Sequence, residues 1–241
     1  MIMDINCDMG EIPRLLKDNV YSDLMDHVTS INLACGGHAG DLSMMRELIR
    51  IAKRKNVRIG AHPSYPDREN FGRLVLEMDS EELLRSICDQ VRSLISVAEE
   101  ESVSISHIKP HGALYDQAAK DTHLARVIGS AVDRVEPDLD IICLSGSSMV
   151  RILEDMGLKV VQEAFADRTY ERDGGLRDRR SDRALITDPQ KAADQARSII
   201  EDKKIITFDG SEISVQAQTL CIHSDTPNAI AIAQEVRLVL Q

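Results

Sequence analysis

The residues of this chain that could do acid–base or metal chemistry gather at the ends of strand-like runs. The densest set is Ser106-His-Ile-Lys-Pro-His-Gly-Ala-Leu-Tyr115. A β-branched run from Val103 to Ile108 stops at Pro110, which has no N–H to give a ladder. Just past it stand a cation (Lys109), an imidazole (His111), a hinge (Gly112) and a phenol (Tyr115). His38, His62 and His223 follow three other strand-like runs, and Asp8 and Glu163 stand at the ends of two more. One histidine at a strand end is usually a packing or capping residue. Four of the seven, each beside Gly or Pro or at a strand stop, point to an active site at the carboxyl ends of a parallel sheet, where α/β folds bind ligands. A His/Asp set can hold a divalent metal and activate water. It can equally work without metal, with His or carboxylate as base and Lys109 as electrostatic stabiliser. No His-Glu-x-x-His helix decides between the two.

The elements that must position these groups are legible in order. Strand candidates are Ile2–Cys7, Val28–Ala34, Val57–Ala61, Val103–Ile108, Ile141–Leu144, Val160–Glu163 and Gln218–Ile222. Between them run helical patterns. Asp41 caps a stripe of Leu42, Met45, Leu48, Ile49 and Ala52, and Asp79 with Glu82 opens a longer one from Leu83 to Ala98. Gly146-Ser-Ser148 leads into a helix that Gly157 can end, Asp188-Pro189 starts another, and Thr226-Pro227 caps and opens the last. Ile205–Phe208 and Ile213–Val215, joined around Asp209-Gly210, read as an inserted hairpin. Seven strand–helix alternations without a linker or repeat imply one α/β domain over 1–241 with a parallel sheet. Pattern alone leaves open sheet and barrel undecided.

Composition narrows the functions. The chain has 241 residues, 43% hydrophobic and 29% charged, with no Trp. A net charge of −11 argues against nucleic acid or an acidic membrane surface as partner. No apolar run reaches the ~20 residues of a membrane span, and Met1 to Asp4 shows no basic leader, so a cytoplasmic location is expected. Five cysteines without close pairs read as small buried hydrophobes. Phosphate-cradling, dinucleotide and nucleophile-elbow motifs are all missing. The segment Ala164 to Arg183, with six arginines, four aspartates and Gly174-Gly175, is too long for an ordinary connection and reads as a lid, a docking surface or a solvated loop.

Six motifs in fixed order then resemble a known family: Asp4-Ile-Asn-Cys-Asp-Met-Gly-Glu11, Asn32-Leu-Ala-Cys-Gly-Gly-His-Ala-Gly-Asp41, Gly60-Ala-His-Pro-Ser-Tyr-Pro-Asp67, Lys109-Pro-His-Gly-Ala-Leu-Tyr115, Glu163-Ala-Phe-Ala-Asp-Arg168 and Cys221-Ile-His-Ser-Asp-Thr-Pro227. Over nearly its whole length the chain resembles the LamB/YcsF family of 5-oxoprolinase A subunits. The resemblance implies a distorted seven-stranded β/α barrel of the glycoside hydrolase/deacetylase type. It also implies opening of the lactam 5-oxoproline to glutamate, with ATP acting through a complex with two partner subunits. Catalytic residues would be Asp8, His38, His62, Lys109, His111 and Glu163. Asn6, Glu11, Tyr65, Tyr115, Arg168, His223 and Asp225 would meet the substrate. By analogy with related barrels, a divalent metal would sit on Asp8, His62 and His111. The same barrel could instead support a metal-dependent deacetylase or carbohydrate hydrolase, or only present substrate to a partner. Gly37, Leu74 and Ser224 depart from the family's usual Phe, Arg and Gly, and the stretch after Glu11 is short. These changes fall at the barrel mouth, where a different cyclic amide could be accommodated.

Overall fold

The computed structural model describes residues 3–240. Seven parallel strands close a barrel: β1 (Asp4–Met9), β2 (Ser30–Ala34), β3 (Arg58–His62), β4 (His107–Ile108), β5 (Asp140–Leu144), β6 (Val160–Phe165) and β9 (Thr219–His223). Closure comes from β9, which pairs with β6 on one side and β1 on the other, Asp8 opposite His223. The barrel matches the expected architecture. The expected start of β1 at Ile2 lies outside the described residues. Short β7 (Lys204–Ile206) and β8 (Glu212–Ser214) form the inserted antiparallel hairpin, with Ile205 opposite Ile213.

Around the barrel run α1 (Pro13–Lys17), α2 (Val20–Leu24), α3 (Leu42–Lys55), α4 (Ser80–Glu100), α5 (Gly112–Ala118), α6 (Thr122–Val135), α7 (Ser148–Asp155), α8 (Pro189–Arg197) and α9 (Ala229–Val239). Their starts follow the expected chemistry. The Asp41 carboxylate accepts from Met44 N at 2.9 Å, and that of Asp79 from Glu81 N and Glu82 N at 2.9 and 3.3 Å. The last helix is the exception, opening at Ala229 rather than at Thr226-Pro227. The Thr226 hydroxyl is spent on Asp167 at 2.7 Å, and Asn228 takes a left-handed φ of 65° before the helix starts.

Strand β4 is shorter than the run that suggested it. Val103 N–H instead closes the end of α4 on Ala98 O, so the first half of that run is a helix exit. Pairing nevertheless continues past the strand: Lys109 N donates to Ala61 O at 2.9 Å and His111 N to Pro63 O at 2.8 Å. Those two bonds fix the backbone that carries the ammonium and the imidazole.

Side chains alternate across each strand. On β1, Ile5, Cys7 and Met9 are buried hydrophobes, while Asp4, Asn6 and Asp8 make polar bonds with neighbouring strands. Polar residues from β2, β4, β6 and β9 meet them, so the barrel interior is a hydrogen-bonded column rather than the branched aliphatic filling usual in such barrels. All five cysteines are free and buried.

Candidate functional site

At the carboxyl end of the barrel a cleft of about 750 Å³ is lined by Asp8, Glu11, His62, Lys109, His111 and His223, among others. Its centre is one tight cluster. Single ligand atoms of Glu11, His38, His62 and His111 all lie within 4.8 Å of one another, and all four residues are buried.

Hydrogen bonds fix which imidazole atoms face the cluster. His62 Nδ1 is 2.7 Å from the Lys109 carbonyl, and only an N–H can serve that oxygen, so His62 Nε2 carries the lone pair in the neutral ring. His111 Nε2 is likewise 2.9 Å from Phe71 O, leaving Nδ1 bare. The two bare nitrogens then face each other at 3.0 Å, with Glu11 Oε1 3.1 Å from His111 Nδ1 and 3.8 Å from His62 Nε2. Lone pairs and a carboxylate at these distances repel unless a proton or a cation lies among them.

His38 completes the group. Its Nε2 is 3.0 Å from Glu11 Oε1, its ring stacks on His111 at 3.6 Å between centroids, and its Nδ1 is buried with no partner. Burial, with the nearby histidines, lowers its pKa to about 3 despite Glu11. Glu11 stays ionised although burial opposes it, because the His111 and His38 contacts hold its pKa well below the usual range. A tetrahedral ion with ligands at ~2.1 Å spaces them about 3.4 Å apart. Four of the six separations, 3.0 to 3.8 Å, bracket that spacing and all fall within 4.8 Å, so the donor set fits a divalent cation.

Asp8 lies at the edge of the cluster, its Oδ2 3.4 Å from His62 Nε2 and 3.9 Å from His223 Nε2. Of the triad suggested by related barrels, His62 and His111 therefore meet directly and Asp8 joins through His62. Glu11 and His38, read from the sequence as substrate-binding and catalytic, stand closer to the shared point. Burial opposes the Asp8 charge, but His62 and Lys109 outweigh it and keep the carboxyl well below its usual range.

Lys109 is almost fully buried. Its Nζ touches Glu163 Oε1 at 2.8 Å, Cys221 Sγ at 3.0 Å, Asp8 Oδ1 at 3.1 Å and Asn6 Oδ1 at 3.2 Å. Burial works against this ammonium, yet Asp8, Cys221 and Glu163 raise its pKa well above the ordinary value. Four acceptors occupy three protons, so Lys109 sets the charge of the pocket floor. Glu163 also receives Tyr115 Oη at 2.8 Å and Asn6 Nδ2 at 2.8 Å.

On the opposite wall, His223 Nδ1 is 3.0 Å from Asp167 Oδ1, and the His223 backbone N–H donates to Asp167 Oδ2 at 2.9 Å. The ring stacks on Phe165. Asp225 bridges two loops, receiving Arg73 at 3.0 Å and Arg179 at 2.5 Å. Arg168 and the Arg-rich segment line this side of the cleft. That segment folds back on itself through single bridges, Arg168 with Leu185 and Tyr170 with Leu176. The hairpin braces it: Phe208 N donates to Tyr170 O at 2.8 Å, and the Arg177 guanidinium lies 3.4 Å from the Phe208 ring centre.

Two residues expected to meet the substrate sit elsewhere. Tyr65 is buried with its hydroxyl on Gln117 at 2.7 Å, outside the cleft lining, and Asn6 lies below the floor. Sequence reasoning missed Asp167, Arg73 and Arg179, although Asp167 stood in a quoted motif. Two departures from the family pattern gain a physical sense. A side chain at Gly37 would begin 2.3 Å from Gln90 Oε1, so Gln90 fills that space here. Ser224 donates to Asp8 O at 2.7 Å, a bond glycine could not make.

Comparison with known proteins agrees with this architecture. The chain is 43% identical over 235 residues (98% of this chain, 93% of the relative) to the 5-oxoprolinase A subunit of Chloroflexus aggregans. It is 42% identical over 237 residues (98% and 94%) to the same-named protein of Chloroflexus aurantiacus. The crystal structure of a lactam utilization protein from Thermus thermophilus superposes with a TM-score of 0.91 at 38% identity, covering 100% of this chain and 96% of that one. Residues 3–241 match the sequence model of the LamB/YcsF family, and this chain belongs to that family.

Proposed function

We propose that this chain is the lactam-handling subunit of an ATP-dependent 5-oxoprolinase, working as one β/α barrel domain with partner subunits and yielding glutamate. The observation that carries the reading is the pair of bare imidazole nitrogens facing each other beside Glu11 at the centre of the cleft. Family membership supplies the lactam, and the subunit designation of the relatives supplies the partners.

A divalent ion held by Glu11, His38, His62 and His111, with Asp8 alongside, would polarise a carbonyl or acidify a water. The chain's own residues would do the rest. Opening the ring adds water oxygen to the carbonyl carbon, breaks the carbon–nitrogen bond and delivers a proton to the ring nitrogen. His223, held by Asp167 through Nδ1, presents Nε2 to take the proton from water and return it to that nitrogen. Lys109, bonded to Asp8 and Glu163, offsets their charge and sets an ammonium beneath developing negative charge. Nucleotide handling falls to the partners, because this chain has no phosphate-cradling motif and carries a net charge of −11.

The test is to assay the purified chain with 5-oxoproline and ATP, alone and with its partners, and to measure bound metal by elemental analysis. Expected is close to one divalent ion per chain and glutamate formation only in the complex. ATP-dependent glutamate formation by this chain alone would refute the division of labour. A complex whose turnover survives His111→Ala would refute the site.

A further inference from the structure

Beneath the cluster, one hydrogen-bond chain runs inward and has a fixed direction. The Ser106 hydroxyl lies 2.8 Å from His107 Nδ1 and 3.2 Å from Ile59 O; because Ser106 N–H already serves that carbonyl at 2.8 Å, the hydroxyl proton goes to the nearer Nδ1. His107 is fully buried and neutral, since burial lowers its pKa to about 3. Its remaining proton is therefore on Nε2, which lies 2.8 Å from Asn32 Oδ1. That contact orients the Asn32 amide. Both protons of Asn32 Nδ2 then go to Asn6 Oδ1 and Asp8 Oδ1, each at 2.7 Å. With Lys109 also on Asp8 Oδ1 at 3.1 Å, that oxygen is satisfied from inside the barrel. Only Oδ2 is left to face His62 and His223. Flipping Asn32 would set its carbonyl against the Asp8 carboxylate and its N–H₂ against the His107 proton, so the two ends of the chain enforce each other.

The backbone has been cleared for this ring. A Cβ on Gly60 would lie 2.2 Å from both Nε2 and Cδ2 of His107, so β3 passes the imidazole only because it carries no side chain there.

We infer that His107 is a positioning residue which, through Asn32, makes Asp8 offer a single carboxylate oxygen to the active site. His107 lies within β4, outside the lining of the cleft. The inference concerns the same site as the proposed lactam hydrolysis, and its kinetic arm rests on that reading.

Three variants separate positioning from mere packing. His107→Leu keeps bulk and removes the proton, His107→Gln can return an amide N–H near the Nε2 position, and Asn32→Leu breaks the chain at its second link. In ¹⁵N-histidine-labelled wild-type chain, His107 is expected as the Nε2–H tautomer at pH 7. The Asn32 side-chain amide protons are expected to be resolved and slowly exchanging, to exchange fast in His107→Leu and to be slow again in His107→Gln. In the assembled enzyme, kcat for 5-oxoproline should fall about 10–100-fold in His107→Leu and Asn32→Leu with KM little changed, and recover in His107→Gln. A cationic or Nδ1–H His107, or Asn32 amide exchange unchanged by His107→Leu, overturns the inference. So does full turnover by a folded His107→Leu enzyme. Absence of lactam turnover in wild-type assemblies would fault the proposed function instead, and the spectroscopic arm would still decide whether the column holds Asp8.

Discussion

The first four strands and the last three supply the mouth of the barrel with different materials. From β1 to β4 come Asp8, Glu11, His38, His62 and His111, all buried, with one ring nitrogen of each of His62 and His111 fixed on a backbone carbonyl. From β5, β6 and β9 come an apolar wall of Leu144 and Phe165, the Asp167–His223 pair and the Arg-rich segment. There the arginines are graded, with Arg179 side chain 20% exposed and Arg180 82%. One half is a buried floor whose atoms cannot move without breaking several hydrogen bonds. The other is a cover, held by backbone bonds such as Arg177 N to Thr169 O at 2.9 Å and carrying several exposed arginine side chains. Chemistry that needs fixed distances sits where burial and strand pairing fix them, and adjustment to ligand or partner is left to the long connection.

Substitutions can break that contrast. In the assembled enzyme, His111→Ala should cost about 10²- to 10⁴-fold in kcat, the span of a general acid/base or electrostatic group. Arg179→Gln, which removes one of the two arginines on Asp225, should cost only a few-fold, seen mainly in KM. Equal losses in kcat would erase the distinction between floor and cover.

Acid should attack the floor first. His38 and His107 are held neutral in the folded state, with pKa near 3 against 6.5 when unfolded. Between those values the unfolded chain binds more protons, so stability falls as pH drops from about 6.5 toward 3. Each histidine contributes a slope of about 1.4 kcal/mol per pH unit. Asp8 and Glu11, whose pKa values are lowered, add a further loss as pH falls through the normal carboxylate range. Urea midpoints at pH 7 and pH 5 read this directly, and midpoints that match would show that the histidines are charged in the folded protein.

The smallest effect belongs to the brace. Phe208→Leu removes the ring under Arg177 and Arg183, a cation–π contribution of about 0.5–2 kcal/mol. Global stability should change little while hydrogen exchange quickens across residues 168–183. Uniform protection in the variant would mean that the cover does not depend on the hairpin.

The parallel strands were legible because they end where side-chain chemistry begins, whereas their closure into a barrel was implied only by the family resemblance. Asp4, Asn6 and Asp8 alternate with Ile5, Cys7 and Met9, so β1 declares which face is polar even before its partners are known. The convergence of His38, His62 and His111 followed from their strand ends. What could not be read was pairing across sequence distance. The Asp167–His223 contact spans 56 residues, and nothing in either local pattern encodes it. The role of His107 was hidden for the same reason, since only the register placing Gly60 beside it reveals how its ring is housed. Strand β4 is shorter than its β-branched run because such residues also suit a helix exit packed on the core. Helix α9 starts later than Thr226 suggests because Asp167 claims the hydroxyl that would have capped it.

The graded exposure of the arginines in the cover has a consequence for proteolysis. Trypsin requires arginine side chains it can reach on backbone that can be pulled free. Arg172, Arg180 and Arg183 have side chains 79%, 82% and 71% exposed. Arg177 and Arg179 are 17% and 20% exposed and tied to Glu171 and Asp225. Brief digestion should therefore nick the chain after the first three and spare the other two. Cleavage after Arg179 would mark the moment its bond to Asp225 is released, so a ligand or partner that loosens or tightens this cover will be readable as a change in the fragment pattern.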